Sequence, residues 1–313
     1  SAICAGQPYL VTVTVTNTGQ ADATGVDLTS PFAVSGSGVT APSAGPNPSL
    51  PFVLAGGAAE TFTWTFSGSV AGPVVLTVTV AGTDANGGWP VVSGPAVTNS
   101  VALQAAGILA ARTSVSPGQV SIGQWITVVL TVTNTGQADV TGVVPEVAVE
   151  PGGALVGLEA GPVPAGPLTL TAGASQAFVW TWSANGAGLA GFTATATGST
   201  CGGSPVLAAS SVSATIQSPA LLAASVATGP GAACTGEPII VTLTVTNTGG
   251  ATASGLAAAP WFLDGTGAVA GGTGPTPALG GALAGGASMT FTWTYTGSAA
   301  GLVTFTTTVT ATD

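Results

Sequence analysis

The stretch Gly6-Gln7-Pro8-Tyr9-Leu10-Val11-Thr12-Val13-Thr14-Val15-Thr16-Asn17-Thr18-Gly19 alternates an apolar with a hydroxyl-bearing residue from Val11 to Thr16. A period of two places one kind of side chain on each face of an extended chain, the mark of a half-buried β-strand. Thr is β-branched, as Val is, so neither face opposes the extended backbone. Asn and Gly tolerate positive φ, so Asn17-Thr18-Gly19 is expected to end the strand by turning.

The stretch recurs twice. It returns as Gly123-Gln124-Trp125-Ile126 running to Asn134-Thr135-Gly136, and as Gly236-Glu237-Pro238-Ile239-Ile240 running to Asn247-Thr248-Gly249. A second landmark follows each copy: Phe62-Thr63-Trp64-Thr65-Phe66, Phe178-Val179-Trp180-Thr181-Trp182 and Phe291-Thr292-Trp293-Thr294-Tyr295. The interval from Asn to the central Trp holds to within one residue across the copies. Such register marks an internal repeat of about 115 residues, a usual domain size. The chain of 313 residues then divides into domains 1–104, 105–217 and 218–313.

Within each repeat the aromatic triplet lies on one strand face and supplies the large core residues. Leu76, Val78 and Val80 belong to the next strand, and a last strand is expected near Val91 to Leu103. Gly and Pro interrupt every Ala-rich segment, so no capped stretch of helical period appears. Short strands with frequent turns predict an all-β fold of three tandem immunoglobulin-like β-sandwich domains. Antiparallel sheets can leave one face in water, here a face of Thr.

Composition narrows the function. Charged residues are 4% of the chain, against about 25% in ordinary soluble proteins. Arg112 is the single basic residue, there is no His, and eleven acids set the net charge at −10. Without His there is no Ser-His-Asp triad, Cys-His pair or imidazole metal ligand. Without Lys there is no Schiff base, P-loop lysine or Lys–Asn isopeptide bond. One Arg cannot neutralise a phosphate backbone, so nucleic acid is excluded as a partner, and an anionic membrane surface with it. No run reaches the roughly 18 uninterrupted apolar residues of a spanning helix, so no membrane insertion is expected. The sequence offers no catalytic residue, no cofactor site and no metal site; it reads as a non-enzyme.

Val/Thr alternation ending in Val-Thr-Asn-Thr-Gly, after a Gly-Gln or Gly-Glu turn, resembles the Ig-like repeat domains of bacterial surface proteins. The cell-adhesion-related CARDB-type domains are the nearest such group, and glycan-coated algal flagellar hair proteins are a more distant comparison. The resemblance is specific over about 15 residues per repeat. It implies an extracellular or cell-surface array of tandem units, a stalk or adhesin without catalysis. The near-absence of charge departs from ordinary members.

Aligning the repeats bears on the ends and the cysteines. Cys4 aligns with Ser121 and Cys234. Strand-like lead-ins, Ile108 to Val115 and Leu221 to Val226, precede Ser121 and Cys234, and nothing comparable precedes Cys4. Val309-Thr310-Ala311-Thr312-Asp313 aligns with Val80 to Asp84, after which repeat 1 continues into its last strand. Repeat 1 is therefore expected to lack a first strand and repeat 3 a last one. Either further units of the same chain flank the segment or neighbouring subunits supply those strands; an unpaired sheet edge is a polymerisation template. Three Cys is an odd number, which in an exported protein suggests pairing outside the segment. In a head-to-tail array the loop holding Cys4 leaves repeat 1 where the loop holding Cys201 enters repeat 2. This predicts a Cys4–Cys201 disulfide, with Cys234 pairing to a neighbouring unit. Three free, buried thiols are the alternative.

Other candidates are weaker. Asp84-Ala85-Asn86-Gly87-Gly88 resembles the start of a calcium loop but lacks the acids that would complete six or more oxygens, and reads as a turn. Glu146, Glu150 and Glu159 could pair as a glycosidase acid and base, yet nothing comparable recurs in the other repeats, and they read as a solvated loop. Trp89 and Trp261 lie outside the core triplets. They are possible ligand-facing aromatics for surface glycans, or junction packing. The Thr-x-Thr rows evoke ice-binding surfaces but read as exposed strand faces. No usable Asn-x-Ser/Thr site exists, because Asn47 precedes Pro48 and each Asn-Thr-Gly lacks the third-position hydroxyl. O-glycosylation of Thr and Ser stays open. The chain reads as a structural segment of an extracellular fibre, stalk or surface filament, whose partners are like subunits or further Ig-like units. An adhesin or carbohydrate-binding module is the alternative.

Overall fold

The computed structural model describes residues 2–313, which are almost wholly β; the one helical element among them is the 3-10 turn Cys201–Gly203. Every strand ladder closes within residues 2–104, 109–217 or 222–312. The second repeat shows the full arrangement. Its first sheet runs Leu109–Ser116, Trp125–Asn134, Ser175–Gly186, Leu155–Val163, all antiparallel. Its second runs Gln119–Ser121, Ser204–Gln217, Gly188–Thr200, Val140–Val149, Leu168–Leu170. With strands lettered along the chain, these are the A-B-E-D and G-F-C sheets of an immunoglobulin-like sandwich, the first strand dividing so that its second half pairs in parallel with the last strand.

The alternation read from the sequence is what builds the core. Ile126, Val128, Leu130 and Val132 point inward and are fully buried, opposite Phe178 and Trp180 on the neighbouring strand. Each such side chain contributes about 1.5–3 kcal/mol by leaving water. The hydroxyl residues take the other face and pair across strands, Thr133 with Ser175 at 2.7 Å, Thr246 with Ser288 at 2.7 Å and Thr14 with Thr61 at 2.9 Å. Phe62, Trp64 and Phe66, and Phe291 and Trp293, are buried in their own repeats as expected.

Three local expectations are corrected. The last strand of repeat 1 is not one strand near Val91 to Leu103 but three pieces, Pro90–Val92, Ala96–Val97 and Val101–Gln104. Gly94-Pro95 interrupts it, and side chains stand in for the ladder: the Val80 amide donates to Ser93 Oγ at 3.0 Å and the Leu76 amide to Thr98 Oγ1 at 2.9 Å. The first strand of repeat 1 is half present: Ala2–Cys4 pairs in parallel with Val101–Gln104, as Gln119–Ser121 does with Ser204–Gln217. The Asn-Thr-Gly turns do not use positive φ, since among the described residues no non-Gly residue adopts it and Gly19, Gly136 and Gly249 do not either; the Asn side chain makes the turn instead.

Stability on this plan rests on apolar burial and backbone ladders. Arg112 is exposed and is the single basic side chain, so an ion-pair network cannot form. The melting temperature at neutral pH should move by less than about 3 °C between low salt and 1 M sodium chloride, apart from mild screening of the −10 charge. A loss of ten degrees or more on adding salt would contradict this account.

Candidate functional site at the repeat junctions

The Asn of each Asn-Thr-Gly turn is the hub of its repeat. Asn134 and Asn247 are 0% exposed. Asn134 Nδ2 donates to the carbonyls of Ala138 at 2.9 Å and Leu170 at 3.0 Å. Its Oδ1 accepts from the amides of Gly136 at 3.0 Å and Ile108 at 3.2 Å. Asn247 repeats the set with Ala251, Leu283, Gly249 and Leu221. Both amide donors and both acceptor positions are used, so a buried polar group carries no unmet bond.

The fourth of these bonds comes from the chain entering from the preceding repeat. The connection after repeat 1 crosses directly over the second turn: Ala105 donates its amide to Gln137 Oε1 at 2.9 Å and accepts the Ala138 amide at 3.0 Å. Gly107 then donates to Thr200 Oγ1 at 2.6 Å, and Leu109 enters the core opposite Asn134. At the next junction Ser218 receives the amides of Gly250 and Ala251 in the same manner. Close passage, not positive φ, explains the Gly of these turns. A Cβ on Gly136 would overlap the Ala106 carbonyl and Gly107, and one on Gly249 would overlap Pro219 and Ala220.

A covalent bond adds to the first junction. Cys4, buried at the end of Ala2–Cys4, is joined to Cys201 in the turn between the last two strands of repeat 2, with Cα atoms 5.9 Å apart. The Gln7 side chain lies against Gly202 of the same turn. In the other repeats the equivalent side chain folds back instead, Gln124 onto the Ser121 amide and Glu237 onto the Cys234 amide, both at 2.8 Å. Cys234 is exposed and makes no disulfide within the chain.

Repeat 1 makes the same turn. Asn17 Nδ2 donates to Ala21 and Leu54, and Oδ1 accepts from Gly19. Its first sheet has three strands where the others have four, with Pro8–Thr16 paired on one edge alone. Val13 and Val15 are only half-buried, whereas their counterparts Leu130, Val132, Leu243 and Val245 are fully buried. A cleft of about 440 Å³ opens beside Asn17, Ala21, Ala23 and Asp84. The buried residues of repeat 1 form two clusters, bridged by Val15, Leu28 and Phe52, while those of repeat 2 form one.

The remaining candidates are dispersed. Asp84 turns its carboxylate onto the amides of Asn86 at 2.9 Å and Gly87 at 2.7 Å, closing a turn. Glu146 and Glu150 lie on or just after Val140–Val149, and Glu159 lies on Leu155–Val163 in the other sheet. All three are exposed, and Glu150 accepts from the Thr193 hydroxyl. Trp261 packs within repeat 3, its ring edge-on to Trp293 at 5.1 Å and to Phe305 at 5.9 Å. Trp89 does face solvent, at 73% exposed. The Thr rows are occupied with cross-strand hydroxyl pairs. Among the described residues no three His, Cys, Asp or Glu side chains cluster as metal ligands would.

The architecture defines a class, tandem Ig-like sandwich repeats. No protein family matches the chain, and no curated protein matches it. Among solved structures it is similar to FdeC, a broadly conserved Escherichia coli adhesin, at 16% identity over 98% of this chain and 89% of that one, with a TM-score of 0.30. A superposition this loose transfers no function.

Proposed function

We propose that the chain is a structural segment of an extracellular fibre, stalk or surface filament, built from three Ig-like domains and without catalysis. The observation that supports this most is the Cys4–Cys201 bridge, which ties one repeat to the next across a sequence separation of 197. A disulfide implies an oxidising location outside the cytosol. A bond between repeats, together with a connection hydrogen-bonded onto the following Asn turn, limits bending where bending would weaken a fibre. Cys234 occupies the turn position of Cys4 and is assigned to the same kind of bridge, to a neighbouring unit. Negative-stain microscopy of native material should show linear arrays of beads at sandwich spacing; isolated compact particles would overturn the reading.

A second reading, an adhesin that binds surface glycans, rests on exposed Trp89. A glycan array tests it: specific binding that Trp89→Ala abolishes would favour it, and binding unaffected by the substitution, or none, removes it.

A further inference from the structure

We infer that the outer face of the first sheet of repeat 2 carries a binding site for a neutral saccharide, built from Trp125, Gly157, Glu159, Ser183 and Asn185. Strand register brings these residues together. Trp125 stands directly opposite Ser183, and Ser183 directly opposite Gly157, so the three form one row across adjacent strands. Their neighbours Ile126, Trp182 and Ala184 are buried, which puts the row on the side away from the core. Asn185 follows Ser183 by two positions and shares its face. Trp125 is 59% exposed, so much of its indole is left in water. Over Gly157 three polar groups converge. A Cβ on that glycine would lie 2.9 Å from Ser183 Oγ, 3.0 Å from Asn185 Nδ2 and 3.8 Å from Glu159 Oε1. The missing side chain leaves a hollow rimmed by a hydroxyl, a carboxamide and a carboxylate. Ser183 Oγ donates to the Gly157 carbonyl at 3.3 Å and accepts from Asn185 Nδ2 at 3.2 Å. Those two bonds leave Asn185 Oδ1, its second amide hydrogen and the Glu159 carboxylate to a guest.

The other repeats show this face where it only builds a sandwich. There the row is Pro8, Ser67 and Ala41 in repeat 1 and Pro238, Thr296 and Ala270 in repeat 3, with the same pairings. Asn185 has Ser69 and Ser298 as counterparts, and Glu159 has Ser43 and Gly272. Repeat 2 alone combines an exposed aromatic, a missing Cβ, a carboxylate and a carboxamide at this spot. Gly, Asn and Glu are poor strand formers, so local folding does not favour them here. Departures from local rules that cluster in one place mark a functional site. The chemistry fits a sugar ring. Its C–H face stacks on an indole, and its hydroxyls donate to a carboxylate and accept from a carboxamide. The hollow lies on the edge strand Leu155–Val163, so a sugar chain can run off the sheet without meeting backbone. Charge selects among saccharides. The single base, Arg112, sits on the opposite edge strand, and Glu159 would repel a uronate or a sulfate. This inference goes beyond the fibre reading, needs neither it nor Trp89, and is confined to repeat 2.

The test uses the whole chain with its disulfide intact. The probes are immobilised cellohexaose, mannohexaose and N-acetylated chitohexaose, with a sulfated heparin hexasaccharide as the anionic comparison. Saturable binding to at least one neutral probe is expected, and none to the sulfated one. Trp125→Ala should weaken that binding at least about tenfold by removing the stacking surface. Gly157→Ala should weaken it to a similar degree, because the added Cβ pushes the Ser183 and Asn185 side chains out of the hollow. Ala stands at this register in repeats 1 and 3, so the variant should fold and melt as the parent does. Glu159→Gln keeps the shape and should cost roughly fivefold, the loss of a charge-assisted bond. Failure to bind any neutral probe, binding to the sulfated probe alone, or binding that survives both Trp125→Ala and Gly157→Ala would each overturn the inference. Binding lost on Trp89→Ala and intact in Trp125→Ala would also overturn it, and would favour the second reading above. None of these outcomes bears on bead arrays in native material, so the fibre reading stands or falls separately.

Discussion

Trypsin applied to the denatured, unreduced chain should cut once, after Arg112, and leave the mass of the polypeptide together. The two products, residues 1–112 and 113–313, carry Cys4 and Cys201 respectively and stay joined until a reductant is added. Alkylating exposed Cys234 first prevents exchange with the bridge. Two separate fragments before reduction would mean that the bridge is absent, and Cys201 recovered with Cys234 would mean that the repeats stack in the opposite sense. The energetic counterpart is large. Closing a separation of 197 residues restricts the unfolded chain by about 5 kcal/mol in the chain-entropy description, and measured effects usually fall somewhat short of it. Cys4→Ser should therefore cost roughly 3–5 kcal/mol and, with no bridge to couple them, let repeats 1 and 2 unfold in separate steps. An unchanged single transition in calorimetry would refute this.

Asn134→Ala should be as damaging as truncating a buried core aromatic. It would strand the carbonyls of Ala138 and Leu170 and the amides of Gly136 and Ile108 in a site closed to water. Each orphaned group costs on the order of 1 kcal/mol or more, so a loss of about 3–5 kcal/mol is expected in chemical denaturation. In this segment Asn17→Ala should cost only about 1–2 kcal/mol, because Asn17 is half-buried and its side chain makes three hydrogen bonds, to Ala21, Leu54 and Gly19. Equal losses at the two positions would show that the crossing chain adds nothing to the clamp.

Much of the fold was legible because local rules act on neighbouring residues. Val and Thr alternate within a strand, so the inward set of Val11, Val128 and Val241 could be read from spacing alone. The aromatic triplets and the repeat register follow by the same means. The clamp was not legible. Asn-Thr-Gly reads as a turn in any context, and the partner that gives Asn134 its role, Leu170, lies 36 residues away on another strand. The packing of Trp261 is illegible for a related reason: its position outside the triplet says nothing of Trp293, which belongs to the other sheet and meets it only when the sheets pack.

Taken alone, the sequence determined the class of backbone, the repeat and its length, the residues that turn inward, the absence of imidazole and the restriction of basic chemistry to Arg112. Those properties are set by periodicity and composition, which need no third dimension. Tertiary structure decided which Asn are buried, which Gly lie under a crossing chain, and which cysteines of different repeats meet. Such features depend on groups that are distant in the chain and meet only after sheet packing, where hydrogen bonds and steric overlap are settled within an ångström.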